Sequence, residues 1–260
     1  MVHVPTRAEL RAHLVTSRIA GEVETPRDNN LRNYRLLAER HPHYLLGLDP
    51  APSWTFEEVL AVMAKRCGVS PDPDYIEGID TIDPDRTLER LDALGARLAV
   101  AARRQERVIS ATGHPSSLLA LHLPVAQALA ARGCTLLTPA AGFTYETTVR
   151  RAPAYRQIRY VSGVAMVADR GELKHTHSPR PMQEMLAALD EPTDLVVADH
   201  GFTGAAAQAG VDAVGYADSN DPALFVGEAE GTVAVTVPLD DGVLPHLYAP
   251  VTAYLLARIQ

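Results

Sequence analysis

The sequence lacks the features that identify a secreted or membrane-spanning protein. It contains two cysteines in 260 residues, Cys67 and Cys134, which lie far apart in apolar surroundings. This pattern favours buried free thiols over a disulfide or a metal-binding pair. No apolar run approaches the roughly 20 residues that span a bilayer, and the N-terminus lacks the pattern of a signal peptide. We therefore expect a cytoplasmic protein that has no membrane partner.

Positive charge is scarce, and arginine carries almost all of it. The chain has 24 basic and 32 acidic residues, a formal net charge of −8, and its only lysines are Lys65 and Lys174. Without a basic tract, the chain is not expected to bind nucleic acid through the phosphate backbone. Aromatic residues make up 5% of the chain and hydrophobic residues 47%, which indicates a globular protein with an aliphatic core.

The order of the predicted elements divides the chain into two regions. Residues 1–100 favour helices separated by polar loops, whereas strands and helices alternate over residues 101–260. Strands that alternate with helices form βαβ units, which predicts an α/β fold with a mostly parallel sheet and helices on both faces, similar to a Rossmann fold. We expect the mainly helical region to pack on an α/β catalytic core, or both regions to form a single domain.

Polar residues follow several predicted strands, at the edge where open α/β sheets bind ligands. The four segments are TGHPSS at residues 112–117, KHTHSPR at 174–180, DHG at 199–201 and ADSNDP at 217–222. Because the carboxyl ends of parallel strands lie at one edge of a sheet, we expect these segments to meet around one site.

Three of these segments, together with the loop near residue 30, contain candidate catalytic and phosphate-binding residues. A histidine with a pKa near neutrality can move a proton, and its carboxylate neighbour can assist it. Glycine in a tight turn and hydroxyls in a first helical turn leave backbone N–H groups for an anion, and arginine and asparagine suit phosphate oxygens. The alternative is that these residues only cap helices or lie in solvated loops. The catalytic candidates are His114, His177, Asp199 and His200, and the phosphate-binding candidates are Arg27, Asn30, Gly113, Ser116, Ser117 and Arg180.

Oxygen-bearing side chains also predict a divalent cation, with Mg²⁺ as the first expectation. Asp199, Asp218 and Asn220 are the candidate ligands, because Mg²⁺ prefers carboxylate and amide oxygens. The same residue types are equally common in turns and helix caps. His175 and His177 lie two residues apart and could also bind a metal.

Five motifs occur in a fixed order along the chain: TGHP at 112–115, HTHSP at 175–179, DLVVADHG at 194–201, GYADSNDPAL at 215–224 and EAEGT at 228–232. With these motifs the chain resembles, nearly end to end, an actinobacterial family known as phosphatase. The resemblance implies hydrolysis of a phosphomonoester of a small metabolite, such as a nucleotide-like compound or an intermediate of specialised metabolism. It supplies no role for any single residue. The nucleophile motifs DxDxT, Cx₅R and RHG of other phosphatases are absent from the sequence.

The leading hypothesis is therefore a phosphomonoesterase in which arginine and the Gly113 turn hold phosphate. A divalent metal would offset the charge on the phosphoryl oxygens, and a histidine would activate water or protonate the leaving oxygen. A metal-free enzyme with a histidine nucleophile is an alternative. Two further hypotheses are an Fe(II) oxygenase of the extradiol type and a protein that binds a phosphorylated metabolite without turnover. A homo-oligomer is compatible with the sequence.

Overall fold

The computed structural model describes residues 3–149 and 152–259. Two short 3-10 helices, Pro42–Tyr44 and Pro245–Tyr248, interrupt the regular elements. The α-helices are α1 Arg7–Thr16, α2 Arg27–Ala38, α3 Phe56–Arg66, α4 Pro84–Arg104, α5 Leu119–Ala131, α6 Arg180–Ala187, α7 His200–Gln208, α8 Pro222–Glu230 and α9 Ala249–Ile259. The strands are β1 Gly21–Pro26, β2 Ile79–Ile82, β3 Arg107–Ala111, β4 Thr135–Leu136, β5 Thr144–Val149, β6 Ala152–Val161, β7 Val164–Asp169, β8 Glu172–Lys174, β9 Leu195–Asp199, β10 Ala213–Ala217 and β11 Val235–Pro238.

A large mixed sheet organises the structure in the order β11-β10-β9-β3-β7-β6-β5. Strands β11, β10, β9, β3 and β7 run parallel, and the short strand β4 also pairs with β3 in parallel. Strands β5, β6 and β8 extend the sheet in antiparallel pairs beyond β7. The α/β fold expected from the alternating pattern is confirmed, and the antiparallel extension is an addition to it.

The parallel strands at the centre are covered on both faces. All five residues of β9 and all five of β10 are buried, as the continuous apolar runs in the sequence predict. At the carboxyl ends of β3, β9, β10 and β11 the chain turns into the segments that follow Ala111, Asp199, Ala217 and Pro238. This arrangement brings four loops to one edge of the sheet.

The region 1–100 is mainly helical, as expected, but it also contains the antiparallel pair of β1 and β2. Its buried leucines belong to the same hydrophobic core as the sheet. The Tyr34 hydroxyl donates a hydrogen bond to the Ser219 carbonyl oxygen at 2.7 Å, and Asn33 Nδ2 donates to the Asn220 carbonyl oxygen at 2.9 Å. The N-terminal region therefore supports the loop after β10. A division of the chain at residue 100 stays a prediction.

Helix α1 begins with a capping box formed by Thr6 and Glu9, and α3 begins with one formed by Thr55 and Glu58. These pairs satisfy the first free N–H groups of the two helices, as the sequence pattern indicates. In the part of the chain that the structure describes, no helix combines the length and the apolar composition needed to cross a bilayer.

Candidate active site

The DHG segment forms a sharp turn from strand to helix. Strand β9 ends at Asp199, and α7 begins at the next residue, His200, without a connecting loop. The φ angle of His200 is +48°, in the left-handed region that side chains other than glycine rarely adopt. At Gly201 a Cβ atom would lie 2.3 Å from the carbonyl oxygen of His177. The glycine therefore lets the first turn of α7 pack directly against the His177 segment and fixes the position of His200.

Asp199 lies behind His200 and is fully buried. Its Oδ1 accepts hydrogen bonds from the Gly113 N–H at 2.6 Å and from His200 Nδ1 at 2.7 Å, and its Oδ2 accepts one from His122 Nε2 at 2.9 Å. Burial alone would raise the pKa of Asp199, but the hydrogen bonds from His122 and His200 hold it well below its ordinary value. In this position the carboxylate orients His200 through its bond to Nδ1, and the metal-binding and catalytic roles expected for Asp199 stay predictions.

The other ring nitrogen of His200 faces two further carboxylates. His200 Nε2 lies 3.3 Å from Asp221 Oδ2 and 3.3 Å from Asp241 Oδ2. Burial alone would lower the pKa of His200, but the charge of Asp221 and the hydrogen bond to Asp199 raise it to about 10. The ring is therefore surrounded by acceptors at both nitrogens, and the Nε2 side is where three potential ligand atoms converge.

His175 and His177 complete a histidine cluster with His200. One ring nitrogen from each of the three residues lies within 4.8 Å of the others. Burial, followed by the charge of His200, lowers the pKa of His175 to about 3 and that of His177 to about 2. Both rings are neutral near pH 7 and can present a nitrogen lone pair, which is the form in which histidine binds metals.

Asp218, Asp240 and Asp241 form a neighbouring carboxylate cluster, again with ligand atoms within 4.8 Å. Asp218 Oδ2 accepts from the Thr25 hydroxyl at 2.7 Å. Burial and the charges of Asp241 and Asp240 raise the pKa of Asp218 well above its ordinary value, and burial raises the pKa of Asp241 to about 7. The negative charges are concentrated here, and a bound cation would relieve their repulsion.

His114 lies beside the histidine cluster, with its ring centroid 4.4 Å from that of His175 and 5.9 Å from that of His200. Its Nδ1 donates to the Asp241 carbonyl oxygen at 2.7 Å, since a carbonyl only accepts. The proton therefore sits on Nδ1, and Nε2 retains its lone pair. The structure thus brings His114, His177 and His200 together, as the strand-end argument predicts.

The TGHPSS turn is not the anion-binding helix start that the sequence predicts. Helix α5 begins only at Leu119, and the Ser117 N–H donates to the His114 carbonyl oxygen at 3.3 Å. The Ser117 hydroxyl donates to the Asp241 carbonyl oxygen, and the Gly113 N–H is taken by Asp199. Ser116 is exposed. The groups expected to bind phosphate at Gly113 and Ser117 instead hold the loops of the site together.

Arg27 and Asn30 do not form the phosphate-binding site that the sequence predicts. Arg27 is fully buried, and its Nη1 donates to Asp80 Oδ2 at 2.7 Å while its other nitrogens donate to backbone carbonyl oxygens of residues 70, 72 and 75. Asn30 Nδ2 donates to the same Asp80 oxygen at 2.8 Å. Both residues belong to a buried network around Asp80 that ties α2 to β2, and at 0% exposure neither side chain is open to a phosphate.

Two other predicted residues lie at the rim of the site. Asn220 lines a cavity together with Asp218, so its proposed ligand role stays a prediction. Arg180 is exposed, its Nη1 donates to the Glu146 carbonyl oxygen at 2.8 Å, and its guanidinium carbon lies 4.6 Å from the centre of the Tyr145 ring.

Sequence reasoning missed several residues of the site. Asp240 and Asp241 follow β11, so the same strand-end rule could have found them. His122 lies inside the apolar helix α5. His43 lies in the short 3-10 helix Pro42–Tyr44 and stacks on His177 with ring centroids 4.7 Å apart. No local sequence signal marks these two histidines.

Two cavities open beside the clusters. One of about 560 Å³ is lined by Asp218, Asp240 and Asp241 among other residues. The other, of about 280 Å³, is lined by His43, His175 and His177 and by residues of the β5–β6 hairpin. Both cavities lie near the carboxyl ends of the parallel strands, where open α/β sheets bind ligands.

Comparison with known proteins identifies the family of the chain. The sequence model of a family described as phosphatase matches residues 5–260 of the chain. A Streptomyces coelicolor protein that carries the name phosphatase is 48% identical over 260 residues, which cover 98% of this chain and 96% of that protein. The chain therefore belongs to this phosphatase family.

Proposed function

We propose that the protein is a metal-dependent phosphatase that hydrolyses a phosphomonoester of a small metabolite. The observation that carries the proposal is the convergence of His200 Nε2, Asp221 Oδ2 and Asp241 Oδ2, at 3.3 Å from the nitrogen to each oxygen. These three atoms lie close enough together to bind one metal ion. His175 and His177 lie beside them and add two nitrogen ligands.

The proposed ligands are His175, His177, His200 and Asp221, with Asp241 next to them. Asp221 is 4% exposed, and its carboxylate oxygens lie 3.3 Å from His200 Nε2 and 3.8 Å from His177 Nδ1. Mixed imidazole and carboxylate ligands suit Zn²⁺, Mn²⁺ or Fe²⁺ better than Mg²⁺. The oxygen-only cluster of Asp218, Asp240 and Asp241 has the chemistry that suits Mg²⁺.

Asp199 and His122 hold His200, one of the proposed ligands, in position. A histidine that binds a metal usually donates its second ring N–H to a carboxylate, which fixes its tautomer and orientation. Asp199 accepts that bond from His200, and His122 holds the second oxygen of Asp199. This arrangement supports metal binding through His200 Nε2.

A metal held here would polarise the phosphoryl oxygens and lower the pKa of a bound water. Hydrolysis then needs a base for the attacking water and a proton for the oxygen that leaves when the P–O bond breaks. His114 is suited to both tasks: its Nδ1–H is fixed, so Nε2 can accept the proton of the attacking water and then give that proton to the leaving oxygen.

A second candidate mechanism uses His200 as the nucleophile that accepts the phosphoryl group. Its position at a sharp strand-to-helix turn and its Nδ1 bond to Asp199 favour this role. The two carboxylate oxygens 3.3 Å from Nε2 oppose it, because they would repel a phosphate dianion. We therefore prefer the metal mechanism. Membership in a phosphatase family also argues against the oxygenase and the simple binding protein considered above.

The test is release of phosphate from a panel of sugar phosphates, nucleotides and amino-alcohol phosphates by the purified protein. The assay is run after EDTA treatment and after addition of Mg²⁺, Mn²⁺, Zn²⁺ or Fe²⁺. We expect EDTA to abolish turnover and one of the transition metals to restore it. Full activity in EDTA together with a trapped phosphohistidine would support the His200 nucleophile instead, and silence across the panel would refute phosphomonoester hydrolysis.

A further inference from the structure

The cavity of about 280 Å³ differs in charge from the rest of the site. Its lining includes Tyr145 and Thr147 on β5 and Arg156 on β6, from the antiparallel hairpin, and also His175 and His177. Among the described residues that line it there is no carboxylate, and Arg156 is the one arginine. We propose that this cavity receives the phosphate group of the substrate and that Arg156 binds its non-bridging oxygens. This inference rests on the proposed function.

Arg156 is held in place but keeps donors for a ligand. Its Nη1 donates to Asp169 Oδ2 at 2.9 Å and to the Tyr155 carbonyl oxygen at 2.8 Å. No hydrogen bond joins its Nε or Nη2 to another residue in the described parts of the chain. The side chain is 14% exposed, so its position is largely fixed before a ligand arrives. A guanidinium with two free N–H edges in a fixed place is well suited to bind phosphate oxygens.

Hydroxyl-bearing residues line the same cavity as Arg156. Tyr145 pairs directly with Arg156 across the two strands, and both line the cavity. Burial raises the pKa of Tyr145 to about 12, so the phenol remains a neutral donor at physiological pH. The hydroxyl-bearing residues that line the cavity are Tyr145, Thr147, Thr148, Thr176 and Ser178. Neutral donors and one arginine recognise an anion without adding a negative charge.

The geometry also explains why an acidic protein could accept a phosphorylated substrate. His175 and His177 are proposed metal ligands and face this cavity, so a phosphate in it would lie between a cation and Arg156. The volume of about 280 Å³ is at the lower end of the range for small-molecule pockets, which favours a small phosphomonoester.

The test compares Arg156→Gln with Arg159→Gln. Arg159 lies three residues further along β6, is exposed and does not line the cavity, so the control removes the same charge from the same strand. For a substrate that the wild-type enzyme hydrolyses, we expect Arg156→Gln to lower kcat/KM by about 10- to 100-fold and to raise the inhibition constant of inorganic phosphate by a similar factor. We expect the kcat/KM of Arg156→Lys to lie between the values of wild type and Arg156→Gln, and that of Arg159→Gln to stay within about twofold of wild type.

Phosphate binding is also measured by calorimetry on the metal-loaded protein, which requires no turnover. If the wild type binds phosphate and folded Arg156→Gln binds it equally well, the inference is wrong even if the enzyme is a phosphatase. If no substrate is hydrolysed but phosphate binding still depends on Arg156, the cavity is supported and the proposed function fails. If Arg156→Gln does not fold, Thr147→Val is measured instead, because it removes one hydroxyl from the same cavity. Phosphate binding by Thr147→Val equal to that of wild type would count against the cavity as the phosphate site.

Discussion

Two cavities, one beside the carboxylate cluster and one beside the histidine cluster, differ in the charge of their walls. The larger one, of about 560 Å³, is lined by four carboxylates, from Glu24, Asp218, Asp240 and Asp241. The smaller one, of about 280 Å³, has no carboxylate among its described lining residues and contains Arg156. A site can thus keep an acidic side that attracts a cation and a separate side where a phosphate avoids repulsion.

The difference follows from the two parts of the large mixed sheet, one parallel and one antiparallel. The carboxylates at 218, 240 and 241 follow the parallel strands β10 and β11, whose ends meet at one edge. Arg156 comes from the antiparallel hairpin, which brings a wall of different composition beside that edge. The parallel strands supply the metal-binding chemistry in our proposal, and the hairpin supplies the recognition of the substrate.

The largest expected effect comes from His200, which belongs to the histidine cluster and also faces Asp221 and Asp241. His200→Gln removes the nitrogen that faces Asp221 and Asp241, and we expect it to lower kcat/KM on the order of 1000-fold and to abolish bound metal. Activity assays and elemental analysis of the purified protein measure both. His246→Gln, at an exposed histidine outside both cavities, is the control. A metal content equal to that of wild type in His200→Gln would contradict the proposed ligand set.

A smaller effect is expected at Asp199, which orients the proposed metal ligand His200. Asp199→Asn keeps the shape of the side chain but removes the charge that accepts bonds from His122 and His200. We expect metal affinity to weaken by about 10- to 100-fold, because the orientation of His200 is lost while its nitrogen remains. A metal titration measures this change. Complete loss of binding, as in His200→Gln, would instead place Asp199 among the direct ligands.

The smallest effect tests which cavity receives phosphate. Glu24 is exposed and lines the larger cavity, where it pairs with Arg18 Nη1 at 3.2 Å. Glu24→Gln removes one negative charge there, and we expect the inhibition constant of inorganic phosphate to change by less than about twofold, since exposed charges are screened. A clear gain in phosphate affinity, measured at low ionic strength, would move phosphate to the larger cavity and overturn the assignment to Arg156.

Much of the site follows from one rule applied to the sequence, that ligands bind at the carboxyl ends of parallel strands. The rule brought His114, His177, His200 and Asp218 to one place, and it would have included Asp241 had β11 been read in the same way. The expectation for Arg27 rests on a different ground, its place in a polar loop, and it failed because the loop sequence does not reveal a buried partner such as Asp80, which lies 53 residues away.

By itself, the sequence determined the α/β class, the buried parallel strands and the segments that carry histidine and aspartate, because periodicity and strand ends are local patterns. Only the tertiary structure decided the individual roles. Whether a carboxylate lies at Nε2 of His200, as Asp221 does, or accepts a hydrogen bond from Nδ1, as Asp199 does, depends on how distant parts of the chain pack. The same holds for the two arginines, since burial against Asp80 occupies Arg27 while the hairpin leaves Arg156 facing a cavity. Those contacts arise from packing, which no short stretch of sequence contains.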